Sequence, residues 1–201
     1  MMLEKASAHL KGYRAPRLAG DHPRAAVLMP IIGHRDPSLL LTRRNARLSA
    51  HPGQVAFPGG KRDPEDTSLE ACALRESFEE VGLEASRVTL IGRLSERLSA
   101  NGVAVTPFVG LIAPPLVTCA NPDEIAAIFE IPLATLMGDP RTHTDVIRRH
   151  GQTHYVPCYA IDEHVLWGLS AMMVVELLNV AFGIDIGLDR YPAGSRLHYL
   201  S

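Results

Sequence analysis

The chain contains few cysteines, and none of them stand at the spacing of a metal or disulfide framework. Cys72, Cys119 and Cys158 are scattered over 201 residues and form no C-x-x-C motif. Zinc ribbons and disulfide scaffolds need several cysteines at defined spacings. The cysteine content therefore argues against both and is typical of a reducing compartment, so we expect a cytoplasmic protein.

Long hydrophobic runs and an excess of one charge are also missing. The longest apolar segment, residues 165–175, is interrupted by Gly168 and Ser170, whereas a membrane helix needs about 20 apolar residues. Residues 1–17 carry charges but no apolar core of the kind found in signal peptides. The formal net charge is −2, so no broad basic surface is expected. The sequence thus indicates neither a membrane nor a nucleic acid as a partner.

What the chain does have is the composition of an ordinary globular domain. Its hydrophobic fraction is 46% and its charged fraction is 21%, and a chain of this length can bury most of its apolar surface as one unit. We expect a single domain over residues 1–201, with a core at about residues 24–183 between a short N-terminal extension and a C-terminal tail. The sequence carries no motif of a P-loop, an α/β-hydrolase or a dinucleotide-binding protein.

Hydrophobic periodicity alternates along the chain between strand and helix patterns. Apolar and β-branched segments predict strands at residues 25–32, 38–42, 55–57, 88–94, 103–112 and 125–131. Helical periodicity predicts helices at residues 68–81, 133–137 and 166–182. The order of these segments predicts a mixed α/β protein.

The C-terminal third is predicted to contain a hairpin. Residues 141–149 and 153–159 are expected to pair through His150-Gly151-Gln152. The neighbouring histidines of this region fit no zinc-ligand spacing and are interpreted as hairpin surface: His143, His150 and His154. The tail after Gly183 is interpreted as extended or poorly ordered.

The helix predicted at residues 68–81 carries three carboxylates on one side. Glu76, Glu79 and Glu80 stand at i, i+3 and i+4, which at about 100° per residue places them together. The opposite side is expected to be apolar and buried, with Ala71, Leu74, Phe78 and Val81. Crowded carboxylates repel one another and gain from a cation, and hard oxygen ligands suit Mg²⁺ or Mn²⁺. A glutamate-rich face is also typical of solvated helix surface.

The residues around this helix favour a binding site over solvated surface. Thr67 and Glu70 form an S/T-x-x-E capping box that predicts the helix start, and Gly82 predicts its end. Arg75 precedes Glu79 by four residues and is placed to orient that carboxylate. Basic side chains, which suit phosphate oxygens, crowd on both sides of a glycine loop: Arg43, Arg44, Arg47, His51, Lys61 and Arg62. A polyanionic ligand explains this cluster better than loop solvation does.

Residues 75–83, RESFEEVGL, resemble the R-E-U-x-E-E-x-G-U core of the Nudix box. Nudix hydrolases cleave a pyrophosphate linkage in nucleoside diphosphates joined to another moiety. The family pattern places a glycine and a glutamate where this chain has Lys61 and Thr67. The loop is therefore one residue longer here, with Gly60 as the glycine and Asp66 as the nearest acid.

A second stretch, residues 40–60, resembles the signature of the coenzyme A pyrophosphatase branch of this family. That signature reads roughly L-L-T-x-R-S/A-x3-R-x3-G-x3-F-P-G-G. This chain departs from it at Asn45, where Ser or Ala is usual, and at Ser49, where a second arginine is usual, although Arg47 lies close by. Together the two stretches imply an α/β/α sandwich of the Nudix type with a mixed sheet.

The resemblance also implies a set of site residues. Mg²⁺ or Mn²⁺ is expected at Glu76, Glu79 and Glu80. Catalytic roles are expected for Glu79, Glu80, Glu124 and Arg75, and the general base is left open between Glu79, Glu80 and Glu124. Substrate contacts are expected from Arg43, Arg44, Arg47, Gly59, Gly60 and Lys61, with Arg44 and Arg47 recognising a phosphate beyond the scissile pair.

The implied substrate is a small nucleotide of the coenzyme A class. Coenzyme A or an acyl derivative would be hydrolysed to 3′,5′-ADP and the corresponding 4′-phosphopantetheine. Two alternatives remain, a pyrophosphatase that acts on ADP-ribose or a dinucleotide, and a non-catalytic nucleotide-binding module. Retention of all three helical carboxylates argues against the second alternative. The oligomeric state is left open, a homodimer included.

Overall fold

The computed structural model describes residues 2–149 and 151–200, and its elements follow one another as in a mixed α/β protein. The helices are α1 (Met2–Gly12), α2 (Leu69–Val81), α3 (Leu133–Met137) and α4 (Gly168–Phe182). The strands are β1 (Arg24–Ile32), β2 (Ser38–Arg44), β3 (Val55–Ala56), β4 (Gly59–Lys61), β5 (Val88–Arg93), β6 (Arg97–Leu98), β7 (Ala104–Ile112), β8 (Ile125–Pro132), β9 (Arg141–Arg149), β10 (Gln152–Ile161), β11 (His164–Leu166) and β12 (Leu197–Leu200).

The larger sheet is mixed, with β1 at its centre. Its strand order is β3-β2-β1-β7-β5, and β4, β6 and β8 pair with β1, β7 and β2 respectively. Strand β1 runs parallel to β7 from Arg24 opposite Ala104 to Ile32 opposite Ile112. It runs antiparallel to β2 and β4. The two apolar strands β1 and β7 therefore form the buried middle of the fold.

Helices cover both faces of this sheet, because successive side chains of a strand point to opposite faces. Leu28 belongs to the core beneath α2, together with Cys72. Met29, the next residue, belongs to the core beneath α1 and α4, together with Leu10 and Val174. The predicted α/β/α sandwich with a mixed sheet is confirmed.

Four strands form a second sheet in the order β11-β10-β9-β12. The predicted hairpin is confirmed as the antiparallel pair β9 and β10, although its turn residue His150 lies outside the described residues. Strand β12 pairs in parallel with β9. The tail after Gly183, interpreted as extended or poorly ordered, is therefore extended at Leu197–Leu200, where it returns to the sheet.

Helix α1 was not predicted, because its eleven residues show only two positions that become buried, Ala6 and Leu10. Long-range contacts hold it in place, including a hydrogen bond of 3.0 Å between His9 Nδ1 and the carbonyl of Ala181 on α4. Helix α4 begins two residues later than predicted, because Leu166 belongs to β11 and pairs with Tyr159 of β10. No helix of the described ranges is long and apolar enough to cross a membrane.

Candidate active site

Helix α2 begins at a different cap from the one predicted. The N-cap is Ser68, whose Oγ accepts a hydrogen bond from the backbone N–H of Ala71 at 3.1 Å. The Thr67–Glu70 capping box is therefore wrong by one residue. The predicted end is confirmed, because Gly82 adopts φ +71° and its N–H reaches the carbonyl of Phe78.

The buried side of α2 also differs from the predicted apolar side. Phe78 is 56% exposed, whereas Glu80 is only 2% exposed. The buried residues of the helix are Cys72, Ala73, Ser77, Glu80 and Val81. Of the residues expected to be buried, Val81 is, Leu74 is half-buried against the same core and Ala71 is half-buried, whereas the expectation is wrong for Phe78. Ser77 is accommodated because its hydroxyl donates to the carbonyl of Ala73 at 2.7 Å. Of the three helical glutamates, Glu80 therefore points into the protein interior.

Two glycines let the backbone pass between the sheet and this helix. Gly59 has φ +156°, and a Cβ there would lie 2.3 Å from the carbonyl oxygen of Ala26. A Cβ at Gly60 would lie 2.3–2.5 Å from the carboxylate atoms of Glu76. A side chain at either position would displace the strand or the carboxylate, so the glycine loop and α2 form one unit.

The buried carboxylate of Glu80 is held by this loop and by β2. Its Oε2 accepts the N–H of Gly59 at 3.0 Å, and its Oε1 accepts Nη1 of Arg44 at 3.3 Å. Burial nevertheless raises the pKa of Glu80 to about 7, and the charges of Glu124 and Glu76 raise it further against those two contacts. Glu80 therefore carries a proton readily in the absence of a cation.

A single arginine joins the other carboxylates of the cluster. Arg75 donates from Nε and Nη2 to the two oxygens of Asp66, both at 3.0 Å. Its Nη1 lies 3.0 Å from Glu76 Oε1 and 3.0 Å from Glu79 Oε2. These contacts hold the pKa of Asp66 down at about 2, while burial raises the pKa of Glu76. The predicted Arg75–Glu79 contact is confirmed, and Asp66 is the acid that completes it.

Glu124 completes the cluster from the loop before β8. The N–H of Asn121 donates to the carbonyl of Glu80 at 2.9 Å, and the N–H of Asn45 donates to the carbonyl of Glu124 at 2.7 Å. The negative charge of Glu124 raises the pKa of both Glu76 and Glu80. Among the described residues, the Glu124 carboxylate makes no hydrogen bond or ion pair, unlike those of Glu79 and Glu80.

The basic side chains divide into two groups. Arg44 lies against Glu80, and its Nε is buried without a hydrogen-bond partner in the described chain. Arg43, Arg47 and Lys61 make no side-chain hydrogen bond or ion pair to the described residues. Arg47 and Lys61 are exposed, and Arg43 is half-buried. Arg44 is therefore part of the carboxylate cluster, whereas the other three have cationic groups without a partner among the described residues.

Comparison with known proteins identifies the family of this chain. Residues 22–150, more than half of the chain, match the family model described as the NUDIX domain. The chain belongs to the Nudix family. A protein of Photorhabdus laumondii named "Uncharacterized Nudix hydrolase NudL" is 46% identical over 161 residues, which cover 80% of this chain and 86% of the relative. The protein of the same name from Yersinia pestis (strain Pestoides F) is 46% identical over 154 residues, 77% of each chain.

A solved structure supports the same fold. The MutT/nudix family protein from Enterococcus faecalis aligns over 91% of this chain and 69% of its own, with a TM-score of 0.53 and 15% identity. At that identity the likeness concerns the fold alone. The family model and the relatives confirm the recognition of the Nudix family, and this structure confirms the expected fold class.

Nudix hydrolases generally use divalent metal ions, and the chemistry of the glutamates around α2 suits such an ion. The charges of Glu79 and Glu124 act on Glu76, those of Glu76 and Glu124 act on Glu80, and burial raises the pKa of both Glu76 and Glu80. In the described conformation no three of these four side chains bring carboxylate oxygens within 4.8 Å of one another. Two arginines neutralise only part of this charge. The atoms that these glutamates offer are hard carboxylate oxygens, the chemistry preferred by small divalent cations.

Proposed function

We propose that this Nudix hydrolase cleaves the pyrophosphate of coenzyme A or acyl-coenzyme A, giving 3′,5′-ADP and the corresponding 4′-phosphopantetheine. One observation carries the proposal. The upstream signature that resembles the coenzyme A branch contacts a carboxylate of the box directly, since Arg44 and Gly59 both hydrogen-bond to Glu80. The two resembling stretches therefore lie together, which supports combining the substrate class suggested by the first with the chemistry suggested by the second.

In this proposal Glu76, Glu79 and Glu80 hold Mg²⁺ or Mn²⁺, which when bound polarises the phosphoryl oxygens and lowers the pKa of the attacking water. The chain itself supplies the orientation of these ligands. Arg75 holds Glu76 and Glu79 through one nitrogen, and Gly59 and Arg44 hold Glu80. Arg75 acts as a positioning residue, because its remaining nitrogens are bound to Asp66.

We assign the general base to Glu124. Glu79 is paired with Arg75, and both oxygens of Glu80 accept hydrogen bonds. The carboxylate of Glu124 faces the same cluster without such partners, so it is free to accept a proton from water. As the water oxygen bonds to phosphorus, its proton passes to Glu124 and the bond from phosphorus to the bridging oxygen breaks.

The contact between Arg44 and Glu80 changes the role expected for Arg44. An arginine bound to a ligand-bearing carboxylate is placed near the scissile phosphates, not at a remote phosphate. Arg47 is better suited to the 3′-phosphate of coenzyme A, because its side chain is exposed and has no partner among the described residues. The side chains of Arg43 and Lys61 are likewise unpaired among those residues and are available to the substrate. Exposed guanidinium groups bind phosphate oxygens through two hydrogen bonds.

Comparison of coenzyme A with its dephospho form tests this assignment. Hydrogen bonds to charged groups contribute about 1.5–3 kcal/mol, so removal of the 3′-phosphate should lower kcat/KM at least about tenfold. Arg47→Ala should lose most of that preference while leaving the rate on the dephospho form near its wild-type value. Arg35→Ala, at an exposed position of the turn between β1 and β2, is the matched control and should keep the preference.

Two results would contradict the proposal. Equal kcat/KM for coenzyme A and dephospho-coenzyme A would remove the argument for 3′-phosphate recognition. Faster hydrolysis of ADP-ribose or a dinucleotide than of either would favour the alternative pyrophosphatase.

A further inference from the structure

Three side chains with metal-ligating atoms converge on the second sheet, on different elements from the glutamates of α2. His143 and Asp145 lie two residues apart on β9, and His198 on β12 pairs directly with Asp145. One ligand atom from each lies within 4.8 Å of the others. Asp145 Oδ1 is 2.9 Å from His198 Nδ1 and 3.5 Å from His143 Nε2. The sequence interpretation of His143 as plain hairpin surface is therefore incomplete, because its partner comes from the unpredicted strand β12.

The carboxylate of Asp145 is buried without a permanent cation. Asp145 is 5% exposed, and no lysine or arginine among the described residues pairs with it. Its Oδ2 accepts the indole N–H of Trp167 at 2.7 Å, which fixes the carboxylate and directs Oδ1 toward the two imidazoles. An ionised carboxylate in such a place is costly unless it pairs with a cation or coordinates a metal.

Hydrogen bonding at Thr142 sets the tautomer of His143. The single hydroxyl hydrogen of Thr142 is donated to the carbonyl of Cys158 at 3.1 Å. The same oxygen, 3.2 Å from His143 Nδ1, can therefore only accept, so Nδ1 carries the proton. In the neutral ring, Nε2 then presents a lone pair to Asp145. In a metal-bound histidine, the ring nitrogen that does not bind the metal usually donates its hydrogen to a neighbouring oxygen, as Nδ1 does here to Thr142.

We propose that His143, Asp145 and His198 form a second metal site, for a divalent transition-metal ion of the Zn²⁺ type. A tetrahedral ion about 2.0–2.2 Å from each ligand spaces the ligand atoms by about 3.3–3.6 Å, close to the observed 2.9 and 3.5 Å. Two imidazoles and one carboxylate leave a coordination position for water, and the half-exposed His198 keeps the site open to solvent. Nitrogen ligands select such an ion over Mg²⁺.

The expected effect of this ion is to fasten the C-terminal strand. His198 belongs to β12, at the edge of the second sheet, while Asp145 is tied to Trp167, the residue before α4. One ion would therefore join β12, β9 and the start of α4. This site is independent of the proposed hydrolase chemistry, and its loss leaves the glutamates of α2 untouched.

Co²⁺ titration of the full chain tests the site through its own fluorophore. Trp167 is the one tryptophan of the sequence, and its indole donates to a proposed ligand, so bound Co²⁺ should quench its emission. The titration is run in excess Mg²⁺ to occupy the glutamates of α2. We expect saturable quenching by one Co²⁺ per chain, reversed by Zn²⁺. Replacement of a metal ligand should weaken binding at least about 100-fold, since loss of a supporting partner alone costs about 10–100-fold.

The variants are His143→Gln and His198→Gln, with His154→Gln as the matched control. His154 lies on the neighbouring strand β10 and is exposed. As a second measurement, Zn²⁺ should raise the melting temperature of the wild type and of Glu76→Gln equally, but not that of His198→Gln. Unsaturable quenching in the wild type, or binding by both histidine variants as tight as by the control, would overturn the proposal. In that case the imidazoles serve only as hydrogen-bond partners of Asp145.

Discussion

Asp66 and Arg75 form a fork-to-fork ion pair, with both carboxylate oxygens of Asp66 held at 3.0 Å by the guanidinium. The pair leaves Nη1 of Arg75 pointing at Glu76 and Glu79. Asp66 also accepts the N–H of Asp63 at 2.8 Å, so the loop before α2 is fastened by the same carboxylate. The relationship therefore links loop conformation to the placement of two glutamates that we assign to the metal.

Asp66→Asn should lower the free energy of unfolding by about 2 kcal/mol at pH 7. The reason is that Arg75 depresses the pKa of Asp66 from 3.8 to about 2, and a depressed pKa stabilises the fold at every pH above the unfolded value. The difference from wild type should be full above about pH 4 and should shrink as the pH falls through 2. Urea denaturation at a series of pH values measures it.

The control for this variant is Asp63→Asn. Asp63 has a side chain that is 63% exposed and lies 3.6 Å from Arg75, so a change within about 0.5 kcal/mol is expected. An Asp66→Asn protein as stable as the wild type at pH 7 would contradict the role given to this pair.

Glu80→Gln should stabilise the metal-free protein at pH 8 while reducing activity. Burial raises the pKa of Glu80 from 4.5 to about 7, so ionisation costs stability as the pH rises through that range. A neutral amide avoids this cost, and we expect a gain of about 1–3 kcal/mol in the presence of a chelator. Loss of a ligand should lower kcat by about 10²–10³-fold. Thermal melts with chelator and initial rates with Mg²⁺ supply the two measurements.

Glu79→Gln is the informative comparison, because Glu79 is largely exposed and its side chain is paired with Arg75. It should lose activity to a similar degree without the gain in stability. The account of Glu80 is contradicted if Glu80→Gln is less stable than the wild type in chelator at pH 8, or if it retains wild-type turnover with Mg²⁺.

Glu124→Gln should lower kcat by about 10²–10⁴-fold with little change in metal affinity, because it removes the proposed base and no ligand. Asp123→Asn, an exposed neighbour on the same loop, should leave kcat unchanged. Rates measured across a Mg²⁺ titration separate the possibilities. Recovery of activity at high Mg²⁺ would make Glu124 a ligand, and an unchanged kcat would return the role of base to Glu79 or Glu80.

Gly60→Ala should lower kcat at least about tenfold while leaving the melting temperature within about 3 °C of wild type. The added Cβ would lie 2.3–2.5 Å from the Glu76 carboxylate, and the end of a flexible side chain can move away without disturbing the core. Gly59→Ala should instead destabilise the fold, because its Cβ meets the carbonyl of Ala26. Equal effects of the two variants on stability would show that Gly60 does not act through Glu76.

Local patterns predicted much of α2 and of the candidate site. The spacing of Glu76 and Glu79 places both carboxylates at Arg75, and the contact with Glu79 is the one expected of an i, i+4 pair. The same periodicity misplaced Phe78 and Glu80, because the side of a helix that becomes buried depends on what packs against it. Here the N–H of Gly59 in the glycine loop donates to the carboxylate of Glu80. Helical periodicity cannot predict such a contact, because it describes one helix alone.

Contacts between residues distant in sequence could not be predicted from local sequence patterns. The ion pair of Arg44 with Glu80 spans 36 residues, and the approach of His198 to Asp145 spans 53. Strand β12 has too few residues to give a clear periodic signal, so its partner on β9 could not be identified. The acid of the loop before α2 was easier to predict. Asp66 is the acid nearest to the glutamate position of the family pattern, and it is the residue that binds Arg75.

Product analysis tests the central proposal most directly. Purified enzyme is incubated with coenzyme A, dephospho-coenzyme A, ADP-ribose and a dinucleoside polyphosphate at equal concentration, with Mg²⁺ or Mn²⁺, and the products are separated and quantified. We expect equimolar 3′,5′-ADP and 4′-phosphopantetheine from coenzyme A, with the highest kcat/KM of the panel and none of this turnover in Glu79→Gln. A higher kcat/KM for ADP-ribose or the dinucleotide, or no hydrolysis of coenzyme A with either metal, would contradict the proposed function.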